Sequence, residues 1–89
     1  MDKQQKKEFL CRLLAETTDP ADISNLLDDL CTTKEVENMA ERLLAARLLL
    51  DGCTYSQVMA QADVSSATLS RVSRCVQQGL GYSKLLKNQ

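Results

Sequence analysis

The stretch from Thr33 to Leu50 is the hardest part of this chain to bury. Val36, Met39, Ala40, Leu43, Leu44, Ala45, Ala46, Leu48, Leu49 and Leu50 recur at helical spacing but cover more than one face of the helix they define. A helix apolar nearly all round must be buried on several sides. A chain of 89 residues cannot wrap it alone, because a domain this small buries a modest share of its surface. The expected solution is an obligate homodimer, with this helix and the two before it in the shared core.

The rest of the chain also reads as helix. Glycine and proline are scarce, the aromatics are Phe9, Tyr55 and Tyr82 alone, and the core must therefore be aliphatic. A first helix is expected over Asp2 to Glu16, with Phe9, Leu10, Leu13 and Leu14 on one face. Asp19 caps a second helix that Pro20 opens, running to about Leu30 with Ile23, Leu26, Leu27 and Leu30 inward. Thr32 and Glu35 form a capping box for the third helix, and Gly52 sits where a left-handed stop is wanted. The expected organisation is one domain over residues 1–89: a helical dimerisation core (1–53), a helix-turn-helix (54–78) and a C-terminal turn or tail (79–89).

Residues 54–74 carry the functional signal. TYSQVMAQADVSSATLSRVSR reads as a short helix from about Ser56 to Ala62, a turn at Asp63-Val64-Ser65 and a second helix from Ser66 to about Gln78. A helix-turn-helix needs apolar residues at set points to lock its two helices together. Val58, Ala62, Val64, Leu69 and Val72 fill them, and Met59 and Val76 are also expected inward. Ser83 to Lys87 is expected to add a last turn. The opening of the second helix must be small and polar to approach base edges. Ser65, Ser66, Ala67, Thr68 and Ser70 meet that need, and Arg71 can reach a guanine edge or a phosphate. Arg74, one turn on, is placed for phosphate, with Lys84, Thr54 and Tyr55 as further backbone contacts. Asp63 occupies a turn position where glycine is usual, and Asp tolerates the left-handed conformation better than most residues.

Charge supports the same face. Residues 1–53 hold seven bases and eleven acids, a balance of −4. Residues 54–89 hold Arg71, Arg74, Lys84 and Lys87 against Asp63 alone, a balance of +3. A polyanion would attract the second part and repel the first.

Other chemistry is thinly represented. The chain has no histidine, so the commonest general base is missing, no nucleophile has a visible base partner, and no catalytic residue is expected. Cys11, Cys31, Cys53 and Cys75 lie about twenty residues apart with no CxxC pair. No metal site is expected, and the thiols read as small buried or half-buried hydrophobes. No signal peptide or membrane span is recognised, which points to a cytoplasmic, nucleoid-associated protein with reduced thiols.

LCTTKEVENMAERLLAARLLLDG followed by TYSQVMAQADVSSATLSRVSRCV resembles the Trp repressor family, in particular its shorter relatives of unassigned effector. The resemblance implies an all-α fold, a small helical domain with a C-terminal helix-turn-helix, and an intertwined homodimer that enters successive major grooves. It also implies an effector pocket between the third helix and the recognition helix. Arg42 and Arg71 match the two arginines of that pocket, and Thr32 a threonine near the ligand's amino group. Val72 replaces the glycine that leaves room for the indole ring, so tryptophan is not the expected effector. An unidentified small-molecule corepressor remains open. The ordinary alternative for Arg42 is an ion pair with Glu37 or Glu41.

The function expected from these readings is a sequence-specific DNA-binding transcriptional regulator, a repressor, reading a palindromic operator in double-stranded DNA as a homodimer. The alternative is a dimeric helical adaptor that binds protein without DNA specificity.

Overall fold

The fold is taken from a computed structural model that describes residues 1–87. The described residues form six helices and no strand: α1 (Lys3–Glu16), α2 (Pro20–Leu30), α3 (Thr33–Leu50), α4 (Tyr55–Gln61), α5 (Ser66–Gln78) and α6 (Tyr82–Leu86). The all-α expectation holds. The chain divides into two compact units, Met1–Thr33 and Lys34–Gln89.

In the first unit, each helix start is set by an acid. Asp2 caps α1 rather than opening it. Its carboxylate accepts from the Gln5 backbone N–H at 2.8 Å, and the Gln5 side chain accepts from the Asp2 backbone N–H at 2.9 Å. This reciprocal box satisfies two otherwise orphaned donors. Asp19 caps α2 as expected, accepting from the Ala21 N–H at 2.9 Å, with Pro20 in the first turn. Neither α1 nor α2 contains a buried residue. Phe9 is 62% exposed, and Leu10, Leu13, Leu14 and Leu30 are exposed as well. The apolar stripe of α1 is left exposed, whereas Ile23, Leu26 and Leu27 of α2 are half-buried.

The second unit holds the buried core. Ala45 and Ala46 from α3, Val58 from α4, Ala62 beyond it, and Leu69 and Val72 from α5 form one buried cluster. Alanines on α3 allow the other helices to approach its backbone closely. Leu48, Leu49, Cys53, Val64, Val76, Tyr82 and Leu86 pack around the cluster, half-buried. Leu43 and Leu44, on the same helix as the buried alanines, are exposed. Among the described residues, no helix is long and apolar enough to cross a membrane.

The stop of α3 is a Schellman motif. Gly52 N–H donates to Leu49 C=O and Cys53 N–H to Leu48 C=O, each at 3.0 Å, and Gly52 has φ +90°. A side chain at that φ meets its own backbone, although nothing else lies within 4 Å of where a Cβ would stand. Gly52→Ala should therefore lower stability by about 1–2 kcal/mol, measurable as a shift in the denaturation midpoint. An unchanged midpoint would show that α3 can end in another way.

Four sequence expectations are corrected here. α4 starts and ends one residue earlier than expected, because Thr54 is its cap: Thr54 Oγ1 accepts from Gln57 N–H at 3.2 Å and Gln57 Oε1 accepts from Thr54 N–H at 2.8 Å. Met59 is not inward but 46% exposed. On a helix of seven residues the inward stripe is Val58 and Ala62, one turn apart, and Met59 lies about 100° round from it. Asp63 does not adopt the left-handed conformation, since no described residue other than Gly52 has positive φ. The last helix likewise opens at Tyr82 rather than Ser83.

Candidate nucleic-acid interface

α4, a turn over residues 62–65 and α5 form the helix-turn-helix. Ala62 ends α4 in extended geometry, and its C=O accepts from the Val64 N–H at 3.0 Å across a tight turn at Asp63. The Asp63 N–H donates to Glu41 Oε2 of α3 at 2.7 Å. Ser65 then caps α5, accepting from the Thr68 N–H at 3.1 Å, while its hydroxyl donates to Thr68 Oγ1 at 3.0 Å. Caps at Thr54 and Ser65 and the packing of Val58, Leu69 and Val72 hold the two helices from opposite sides of the turn.

α5 is sharply two-sided. Leu69 and Val72 are buried in the core, and Ser73 is buried beside them. Ser65, Ser66, Ala67, Ser70, Arg71 and Arg74 are exposed, and Thr68 is half-buried. The residues expected to read bases thus share one free face, but not in equivalent states. The hydroxyls of Ser65 and Thr68 are engaged in the cap, whereas the side chains of Ser66, Ser70, Arg71 and Arg74 make no hydrogen bond among the described residues. Thr54 is exposed at the start of α4 with its hydroxyl engaged as a cap, Tyr55 is exposed beside it, and Lys84 is exposed on α6.

A recess of about 280 Å³ opens beside α5, lined by Arg42 of α3, Thr68, Arg71, Val72 and Cys75 of α5, and Tyr82 of α6. It brings together three of the four residues expected around an effector. Thr32, the fourth, is exposed in the first unit. Val72 both lines the recess and belongs to the buried cluster. Cys75 and Tyr82 were not foreseen there. Cys75 had a local signal, lying one turn beyond Arg71 on the same face, but Tyr82 arrives from a separate helix and had none. Arg42 is not paired with Glu37 or Glu41. Glu37 lies 3.9 Å from Lys34 Nζ, and Glu41 holds the Asp63 N–H. Of the cysteines, Cys31, Cys53 and Cys75 are half-buried as expected, but Cys11 is exposed, on the uncovered α1.

The Trp repressor protein family model matches residues 5–89. The chain belongs to the Trp repressor family. It is 37% identical over 81 residues to the uncharacterized protein YerC of Bacillus subtilis (strain 168), a match that covers 89% of this chain and 78% of YerC. A crystal structure from Staphylococcus aureus, provisionally assigned as a Trp repressor, superposes with a TM-score of 0.87 at 28% identity, over 94% of this chain and 85% of the other. Membership of the Trp repressor family places the chain among DNA-binding helix-turn-helix proteins of transcription regulation. This is a family of regulators rather than enzymes.

Proposed function

We propose that this chain is a sequence-specific transcriptional repressor that binds a palindromic operator as a homodimer. The observation that carries the reading is the division of α5. One face is locked into the core by Leu69 and Val72, and the other offers Ser66, Ala67, Ser70 and Arg71 to solvent. A helix held rigidly from behind with small polar residues in front can enter a major groove without side-chain clash. Ser65, Ser66, Ala67, Thr68, Ser70 and Arg71 are the proposed base-facing set, and Arg74 and Lys84 the phosphate contacts. Residues 1–53 serve as dimerisation core, 54–78 as reading head and 79–89 as tail. The proposed working location is the cytoplasm, on the nucleoid.

The direct test is a selection of sheared host DNA by purified protein at moderate salt, with the retained fragments sequenced. A recovered palindrome with half-sites about one helical turn apart supports the reading. The logarithm of affinity for the recovered site should fall linearly with log salt, at a slope of about −0.9 for each phosphate contacted. Binding that is indifferent to both salt and sequence would favour a protein-binding adaptor instead. Arg71→Ala should weaken the selected site by about 1–3 kcal/mol if Arg71 grips a base edge. Titration of the variant against wild type decides this, and equal affinities would remove Arg71 from the base-reading set.

The recess of Arg42, Arg71 and Val72 is proposed as an effector pocket, with a small molecule other than tryptophan as its ligand. Thermal unfolding with and without millimolar L-tryptophan tests the exclusion. No shift in midpoint is expected, whereas a ligand at a hundred times its Kd would add about 2.7 kcal/mol.

A further inference from the structure

Glu41 lies half-buried in the middle of α3, next to Arg42, and reaches 22 residues along the chain to accept the Asp63 N–H at 2.7 Å. That donor has no backbone partner within the turn. The Ala62 N–H is taken by Val58 C=O and the Val64 N–H by Ala62 C=O. A turn of this kind can be held from within by a residue of positive φ, but none is used here. A carboxylate from another helix holds it instead. The bond is short and charge-assisted, which makes it stronger than a neutral one of the same geometry.

We infer that Glu41 is a positioning residue for DNA recognition. It pins the turn to α3 and thereby fixes where α5 begins and how its exposed face is presented. The inference rests on the DNA-binding reading but concerns a residue that touches no DNA in it. It makes a prediction opposite in sign to simple electrostatics. Glu41 is an acid beside the most basic part of the chain, so removing its charge alone should strengthen binding to a polyanion. If Glu41 positions the turn, removing its oxygen atoms should weaken recognition of a specific sequence.

The test uses the full chain, its selected DNA site and an unrelated duplex at one salt concentration, with amide exchange of Asp63 followed by NMR. In Glu41→Ala the Asp63 amide should exchange about tenfold faster, and affinity for the selected site should fall about tenfold. Affinity for the unrelated duplex should hold or rise slightly with the lost negative charge, and the unfolding midpoint should hardly change. Glu41→Gln keeps an acceptor at the same reach and should stay within about threefold of wild type. Asp63→Pro provides a second background. It deletes the donor, Ala62 is already in the extended geometry that a following proline demands, and Asp63 is not left-handed. In that background Glu41→Ala should cause no further loss.

Unchanged exchange and affinity in Glu41→Ala would overturn the inference. So would a Glu41→Gln protein as weak as the alanine variant, or an equal loss in the Asp63→Pro background. An unprotected Asp63 amide in wild-type protein that binds its site normally would sink the positioning role alone. Wild-type protein without sequence preference would sink the DNA reading, and the role built on it would go too.

Discussion

Leu69→Ala should destabilise the helix-turn-helix by about 2–5 kcal/mol, the range for emptying a fully buried leucine site. Leu69 is 0% exposed and, with Val58 and Val72, is among the largest fully buried side chains of the chain. The cluster around it is small: three alanines, two valines and this leucine. No neighbouring side chain is both buried and long enough to swing into the vacancy, so the loss should fall in the upper part of the range. Domains of this size hold about 5–15 kcal/mol in total, and the variant should unfold over most of its length near physiological temperature. Urea denaturation followed by circular dichroism measures the effect. A loss below about 1 kcal/mol would mean that the core collapses onto the cavity, or that stability resides elsewhere. Specific DNA binding should disappear with the fold, because the face offered by α5 has meaning only while Leu69 anchors its back.

Leu13→Glu should convert the proposed homodimer into a monomer. Leu13 lies one turn beyond Phe9 on α1, and the single chain leaves both exposed. If they stay exposed in solution, a glutamate at position 13 is a surface change worth less than about 0.5 kcal/mol. If a second copy covers them, the same glutamate must be desolvated without a partner, at a cost of about 3–5 kcal/mol or more. The expected result is a loss of at least a hundredfold in dimer affinity by sedimentation equilibrium. The wild-type melting temperature should also rise with protein concentration, as it does for any fold stabilised by self-association. A wild-type protein that sediments as a monomer at micromolar concentration would defeat the dimer proposal. A Leu13→Glu protein that stays dimeric would move the interface away from α1.

The contrast between the two substitutions follows from where the apolar surface lies. In residues 34–87 Val58, Ala62, Leu69 and Val72 meet Ala45 and Ala46 in one buried cluster, as the helix-turn-helix pattern requires, although Leu43, Leu44 and Met59 stay exposed. In α1 and α2 the pattern is equally clear, yet neither helix has a fully buried residue, and the stripe of α1 is exposed throughout. Helical periodicity reports which residues share a face and is silent on what that face meets. The same limit explains Met59, whose spacing suited either the inner or the outer side of a seven-residue helix until Val58 and Ala62 took the inner one.

Local chemistry alone placed most of the helices. Asp19 with Pro20 opened α2, Gly52 closed α3, and small polar residues ahead of Leu69 marked α5, because caps and stops act within four residues along the chain. The Thr54–Gln57 box is equally local and was legible in principle; reading it would have put the start of α4 at Tyr55. Distance in sequence hides the rest. The bond from Glu41 to Asp63 spans 22 residues, and Tyr82 reaches the recess of Arg42 and Arg71 from another helix. No periodicity encodes such meetings. They exist because Ala45 and Ala46 let α3 approach the helix-turn-helix closely, and that approach is decided by packing in three dimensions.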